Sequence, residues 1–346
     1  MRATVQVVTF NHRDIISRCL DAVQHTLGAA DELLLVDNAS SDGTAEFVAS
    51  AYPWVRVVRS PRNLGYGGAN NLGAAAARGE YLVFLNPDTE PQPGWLEALL
   101  SAVEGAPERT LATAKLLLAA TPERVDTFGN QVHVSGITTS RGWGQPASEY
   151  PQPEEVAAVS GACFALTRSL FWQLGGFDER LFMYFEDTDL SLRARLAGYR
   201  CVAVPEARVL HDHRPGFSTA KLRFLERNRW WTLLKVYTWP TMAALIPVLL
   251  TSEVIAWGMA ACNGPQHLLA KARAWLDLMR WLPDLPAARA GVQRTRVQTD
   301  AALLRLHPTR LPFSQAAQGA AARAGELVAA LVFAAARTPT YALGAR

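Results

Sequence analysis

Cysteine is scarce and scattered. The four residues, at positions 19, 163, 201 and 262, form no CxxC pair and no metal-ligand spacing. That excludes a disulfide miniprotein and points to a reducing compartment. No apolar run near Met1 is long enough for a signal peptide, because the first one ends at Asn11-His12. The expectation is a cytoplasmic protein, or one on the cytoplasmic face of a membrane. Internal repeats and collagen-like periods are missing. Charge is neither sparse nor of one sign, with 34 Lys+Arg against 31 Asp+Glu and 49% apolar residues, which excludes a disordered tail protein.

At 346 residues, the chain has room for two domains, or one large domain with an appendage, and for a sizeable core. Its net charge of +3 hides an asymmetry. Residues 1–207 hold 16 basic and 24 acidic residues, whereas 208–346 hold 18 basic and 7 acidic. An acidic front and a basic rear imply different partners for each. Nearly all the basic residues are Arg, which suits phosphate contacts on a membrane or on nucleic acid alike.

Up to Asp88 the chain alternates buried-strand runs with helical periods. Thr4–Phe10, Glu32–Val36, Val55–Val58 and Tyr81–Leu85 read as strands. Arg13–His25, Ala45–Ala51 and an Ala-rich stretch opened by Gly65–Gly68 read as helices. Such alternation predicts an α/β fold with a Rossmann-like, mostly parallel sheet and helices on both faces. Ligands of these sheets bind beyond the carboxyl ends of the strands. Thr9, Asn11, Asp37, Asn38, Asn63, Asn86 and Asp88 all fall at those ends. From about 110 to 160 the pattern loosens. A strand returns at Val159–Leu166, and Cys201–Val204 is another.

Three groups of residues could carry chemistry. Asp88, in Asn86-Pro87-Asp88, could bind a divalent cation through oxygen; the alternative is a capped turn. Glu186-Asp187-Thr188-Asp189 places three acids at a helix start, which suits the helix dipole or a general base. His211 and His213 flank Asp212, and a neutral imidazole there could complete a metal site. Thr9 and Asp37 match the edge of a nucleobase, or cap the turns that follow. The run Gly65-Tyr66-Gly67-Gly68-Ala69-Asn70 is neither a Walker loop nor a dinucleotide fingerprint, yet its glycines permit close backbone approach to a ligand.

After Pro215 the chain becomes helical, basic and rich in tryptophan. Glu253 is the only Asp, Glu, Lys or Arg between Val236 and Ala270. That stretch reads as a membrane-crossing helix, as a hairpin lying in the interface, or as a soluble helical subdomain.

Six ordered segments resemble glycosyltransferase family 2, the inverting enzymes of GT-A fold. They are VVTFN (7–11), DNASSDGT (37–44), RNLGYGGANN (62–71), FLNPDTE (84–90), GGFDERLFMYFEDTDLSLR (175–193) and GYRCVAVPEARVLHDH (198–213). The third and fifth look most like the rhamnosyltransferase branch. The resemblance implies a catalytic domain over 1–217 and a membrane-associated or oligomerising region over 218–346. It also implies roles. Thr9, Asn11, Asp37, Asn38, Asn63, Gly67, Asn70 and Asn86 would hold the nucleotide sugar, with Asp88. Asp88 and His211 would bind Mg²⁺ or Mn²⁺. Asp187 would be the base, with Glu186 and Asp189 orienting it or the acceptor. The donor would be a dTDP- or UDP-sugar, dTDP-rhamnose first. The acceptor would be lipid-linked or a growing glycan of the cell envelope, met at the inner face of the membrane. One departure is that Asn86 stands where the family often has a first aspartate.

Other readings are a family 2 enzyme moving a hexosyl, N-acetylhexosaminyl or galactofuranosyl group, a nucleotidyltransferase, and a non-catalytic nucleotide-sugar-binding module. No Gly-rich Arg/Lys phosphate loop follows the first strand, and a binding module needs no base. Nucleic acid is not expected as a partner, because the basic tail is apolar rather than interleaved with polar contact residues.

Overall fold

Strand β1 (Ala3–Thr9) is buried at every position except Val8, which is half-buried; its apolar run suits a strand covered on both faces. The chain continues through α1 (Ile16–Gln24), β2 (Glu32–Asp37), α2 (Thr44–Ala51), β3 (Arg56–Arg59), α3 (Gly65–Ala76) and β4 (Tyr81–Leu85). Strands β4, β1, β2 and β3 lie side by side and parallel. Thr9 pairs with Asp37 and Asp37 with Arg59, so the carboxyl ends are level. Side chains of β2 serve the two faces alternately. Leu33 and Leu35 pack with Ile16, Leu20 and Val23 of α1, while Leu34 and Val36 pack with Ala69 of α3.

The computed structural model describes residues 1–106, 109–212 and 216–308. After β4 come β5 (Thr89–Pro91), α4 (Trp95–Glu104), β6 (Thr110–Leu118), β7 (Thr121–Phe128), a hairpin of β8 (Asn130–Val132) and β9 (Thr138–Ser140), and β10 (Glu154–Glu155). Then follow β11 (Cys163–Thr167), α5 (Arg168–Gln173), α6 (Glu186–Leu196) and β12 (Arg200–His211). The sheet is mixed rather than mostly parallel. Strand β11 runs antiparallel between β4 and β6, and β12 lies parallel to β6. Strands β5 and β10 pair antiparallel with β12, and β7 with β6. Three of these strands, β6, β7 and the short β10, occupy the stretch whose sequence pattern loosens. Strand β12 also runs seven residues past Val204, where the sequence reading ends it. Its register shifts between Val204 and Arg208, a bulge that accommodates Pro205, which has no N–H for the ladder.

The described residues form two compact units. One takes Met1–Asn130, Ser140–Ser191 and 199–212, and holds the large sheet. The other takes Gln131–Thr139, Leu192–Gly198 and 216–308. It is built on α7 (Thr219–Val236), α8 (Trp239–Ala244), α9 (Ile246–Cys262), α10 (Pro265–Trp281), α11 (Leu285–Arg294) and α12 (Asp300–Leu304). The solitary Glu253 of α9 is a hub inside this unit. It receives Arg229 of α7 at 2.6 Å and Lys271 of α10 at 2.9 Å, with the indole N–H groups of Trp230 and Trp275 at 2.7 and 3.2 Å. Glu226 also binds Arg229 and Lys271. Burial alone would raise the Glu226 carboxyl, but the two cations hold it down at about 2. A buried ion cluster requires every partner, because an unpaired buried charge is costly. No helix among the described residues is long and apolar enough to cross a membrane.

Candidate active site

The ends of β4, β5 and β12 converge. Asp88 leads into β5, and Thr89 of β5 pairs with His211 at the end of β12. The backbone N–H of Asp212 donates to the Asp88 carbonyl at 3.0 Å. These constraints bring His211 Nε2 to 3.5 Å from Asp88 Oδ1. On the other side of the ring, His211 Nδ1 lies 2.6 Å from Oδ2 of Asp126, a β7 residue only 2% exposed. Burial alone would lower the His211 pKa, but the flanking carboxylates Asp126 and Asp88 hold it up at about 10. Burial likewise works to raise the Asp88 carboxyl, and His211 more than offsets it, leaving it below the usual range.

Asp88 Oδ1 is buried and lacks a hydrogen-bond partner. An orphaned carboxylate oxygen facing an imidazole nitrogen whose other nitrogen is pinned by a carboxylate is a donor set that fits a divalent cation. Among the described residues no group of three or more His, Cys, Asp or Glu gathers to hold a metal. Among the described residues the candidate ligands are this pair, and substrate oxygens or water would add to them. Asn86 sits beside it, half-buried, its carbonyl accepting from Thr89 Oγ1 at 2.6 Å. His213 lies outside the described residues.

Asp187 opens α6 on the same sheet edge. The Asn86 N–H donates to the Ala162 carbonyl at 2.9 Å. The N–H of the adjacent Gly161 donates to Asp187 Oδ2 at 2.8 Å. One short stretch before β11 thus ties the Asp88 turn to the Asp187 carboxylate. Asn130 Nδ2 donates to the same oxygen at 3.1 Å, and the Thr188 N–H donates to Oδ1 at 2.6 Å. Burial raises the Asp187 pKa, with Gly161 and Thr188 pulling against it. The residue keeps partial exposure. A carboxylate that is fixed, reachable and raised in pKa is suited to accept a proton from a ligand hydroxyl.

Its neighbours differ. Glu186 is buried, its Oε2 has no partner, and burial together with Asp187 pushes its pKa well up. Asp189 is wholly buried, so it can act on a ligand only through other residues. The chain entering α6 is strained. Phe182, Tyr184 and Phe185 all have positive φ, at 65°, 65° and 77°, which is costly for side chains of this bulk. Met183 N–H donates back to the Leu181 carbonyl at 2.8 Å, closing a tight γ-turn on Phe182. Tyr66 N–H donates to the Phe182 carbonyl at 2.6 Å. Gly65, with φ at 73°, lies so close to that carbonyl that a Cβ would collide with it. The close approach allowed by this glycine is to the chain's own Phe182 segment.

The remaining sequence-predicted residues line the ends of β1 to β3. Asn11 is exposed with φ at 58°, and its side-chain oxygen accepts from the Ser41 N–H at 2.8 Å. Asp37 is buried at the end of β2, its nearest donor the Ser40 N–H at 3.4 Å. Thr9 is fully buried, with Oγ1 3.4 Å from His12 Nδ1. Asn38 donates to Asn63 Oδ1 at 2.9 Å and accepts from the Leu64 N–H at 2.8 Å, so this pair laces β2 to the loop before α3. Asn70 is buried and bonded to Gln6 and the Tyr66 carbonyl. Gly67 packs under Phe177.

Sequence reasoning missed Asp126, Asn130 and Gly161. Asp126 stands in an ordinary Val-Asp-Thr run on an antiparallel strand, 85 positions before its partner His211. Only the strand register reveals it.

The profile described as Glycosyl transferase family 2 matches residues 4–175. An N-acetylglucosaminyl-diphospho-decaprenol L-rhamnosyltransferase of Mycobacterium tuberculosis is 34% identical over 230 residues, covering 60% of this chain and 75% of that one. Among solved structures, GalNAc-T7 with UDP, GalNAc and Mn²⁺ aligns at a TM-score of 0.66 and 17% identity, over 88% of this chain and 56% of that one. The mannosyltransferase PcManGT of Pyrobaculum calidifontis with GDP-Man and Mn²⁺ aligns at 0.52 and 18% identity, over 98% and 87%.

Proposed function

Because the chain belongs to glycosyltransferase family 2, we propose that it moves a rhamnosyl group, with inversion, from dTDP-rhamnose to a lipid-linked or growing glycan acceptor of the cell envelope. That it is a glycosyltransferase follows from its family and relatives. The sugar and the acceptor class are supported by the rhamnosyltransferase relative, whose acceptor is a decaprenyl diphosphate-linked sugar. Residues 1–217 carry the transfer in this reading. In this reading the enzyme works at the inner face of the membrane, where a lipid-linked acceptor is presented.

One observation carries the mechanism: an orphaned Asp88 oxygen facing His211 shares a sheet edge with the raised, partly exposed Asp187 carboxylate. Asp187 takes the proton from the acceptor hydroxyl. That oxygen attacks the anomeric carbon from the side opposite the nucleoside diphosphate, and the C–O bond to the phosphate breaks with its electron pair leaving on the phosphate. Asp88 and His211 would hold Mg²⁺ or Mn²⁺, which when bound neutralises charge on the leaving diphosphate. Gly161, Asn130 and Thr188 hold the base in place. Asn11 and Asp37 form the nucleoside end, which Asn38, Asn63, Gly67, Asn70 and the buried Thr9 shape from behind. Asn86 borders the diphosphate. Glu186 and Asp189 support the base from within the fold. Thermal shift of the protein against a panel of nucleotide sugars, with and without divalent cation, tests the reading. A shift for dTDP-rhamnose that requires the metal is expected. No shift for any nucleotide sugar would overturn it.

A further inference from the structure

The second unit presents an apolar surface of unusual regularity. Ile246, Leu250, Val254 and Trp257 recur along α9 at spacings of four, four and three, which is one face of a helix. All are exposed, Leu250 at 62% and Val254 at 73%. Its neighbour α10 presents Leu269, Arg273, Leu276 and Arg280, all exposed and at the same kind of spacing, with Met279 beside them. At the start of α8, Trp239 is 55% exposed, with the Arg289 guanidinium 4.4 Å over its ring.

The charges on these helices are sorted. The acids of α8–α10 are Glu253 and Asp277. Glu253 is taken up by Arg229 and Lys271, and Asp277 is buried and paired with Arg223 at 2.6 Å and with Arg280 at 3.2 Å, the Arg280 side chain keeping 75% exposure. What faces outward is apolar and cationic. A second copy would bring arginine against arginine. The chain's own residues 309–346 hold four Arg against one Glu, so they too lack complementary charge. An anionic lipid surface supplies both requirements: acyl chains for the stripe and phosphates for the arginines.

We propose that the exposed faces of α8–α10 dock the enzyme on an anionic bilayer, with the α9 stripe entering the headgroup boundary and Arg273 and Arg280 contacting lipid phosphates. This deepens the membrane-face reading above and rests on it. The test is cosedimentation of the full chain with phosphatidylglycerol-containing vesicles and with pure phosphatidylcholine vesicles. Binding to the anionic vesicles is expected. Replacing both arginines (Arg273→Ala with Arg280→Ala) should weaken it about thirtyfold, from roughly 1 kcal/mol per basic residue near the surface. Leu250→Glu with Val254→Glu should weaken it by about tenfold or more. Unchanged melting temperatures would show that both variants fold. Equal binding to neutral vesicles, no binding to either, or parent-like binding by the stripe variant would overturn the proposal. Transfer from dTDP-rhamnose to a short-chain soluble acceptor, measured on the same proteins, should be unaffected. If the parent lacks that transfer, the functional reading fails separately from the docking result.

Discussion

Asp126→Asn isolates what the second carboxylate at His211 contributes. The substitution keeps size and shape on β7 but removes the charge that meets His211 Nδ1 at 2.6 Å. The amide can present either its oxygen or its NH₂ to the ring, so the orientation of Nε2 toward Asp88 is no longer enforced. Carboxylates behind a ligating histidine typically govern affinity by about tenfold to a hundredfold, or about 1.4–2.8 kcal/mol. Mn²⁺ binding in the presence of dTDP, followed by calorimetry or by the free-Mn²⁺ resonance, should weaken by that factor. The fold should survive, at a cost of about 1–3 kcal/mol for the altered buried hydrogen bond. Mn²⁺ affinity within twofold of the parent, in a folded variant, would show that Asp126 is a core polar residue and not part of the metal site.

Three other consequences concern the α6 entrance. Glu186 has its folded pKa raised by burial and by Asp187, so the folded state binds the proton more tightly than the unfolded chain does. Its stabilising contribution is present below the ordinary glutamate pKa and is lost as pH rises through the raised one. Glu186→Gln should therefore flatten the fall in melting temperature on the alkaline side and add about 1–3 kcal/mol at pH 8; an unchanged melting profile would contradict this. Gly65→Ala places a methyl group against the Phe182 carbonyl at positive φ. It should cost about 1–3 kcal/mol and lower kcat by displacing the strained segment before Asp187, measured by denaturation and by turnover. The base acts deprotonated, and its pKa is raised. The acid limb of kcat/KM should thus lie above the ordinary carboxylate range, and a limb at or below that range would contradict the assignment.

The polar strand ends where nucleotide binding is proposed were legible because they rest on local signals. Buried runs such as Tyr81–Leu85 end abruptly in short polar residues, and a parallel sheet levels those ends. The acid triplet at 186–189 was visible in the same way, although the sequence could not show that Asp187 keeps exposure while Asp189 is sealed in. What stayed hidden depends on partners distant in sequence. Strand β6 carries Lys115 inside a buried run, and that lysine is accommodated by donating to the Ala147 carbonyl at 3.2 Å. Strand β12 passes Pro205 through a bulge, so a rule that ends strands at proline stops too early and leaves His211 in a loop. Glu253 reads as a flaw in an apolar stretch until Arg229 and Lys271 arrive from helices 24 residues before and 18 after it.

In the proposed mechanism Asp187 takes the acceptor's proton from a place separate from the donor's metal. The most direct test is Asp187→Asn, in which transfer from dTDP-rhamnose and binding of dTDP with Mn²⁺ are measured on the same protein. Transfer should fall by about a hundredfold to ten-thousandfold while nucleotide and metal affinity stay within a few-fold of the parent. Turnover near the parent's rate would contradict it, as would joint loss of transfer and nucleotide binding.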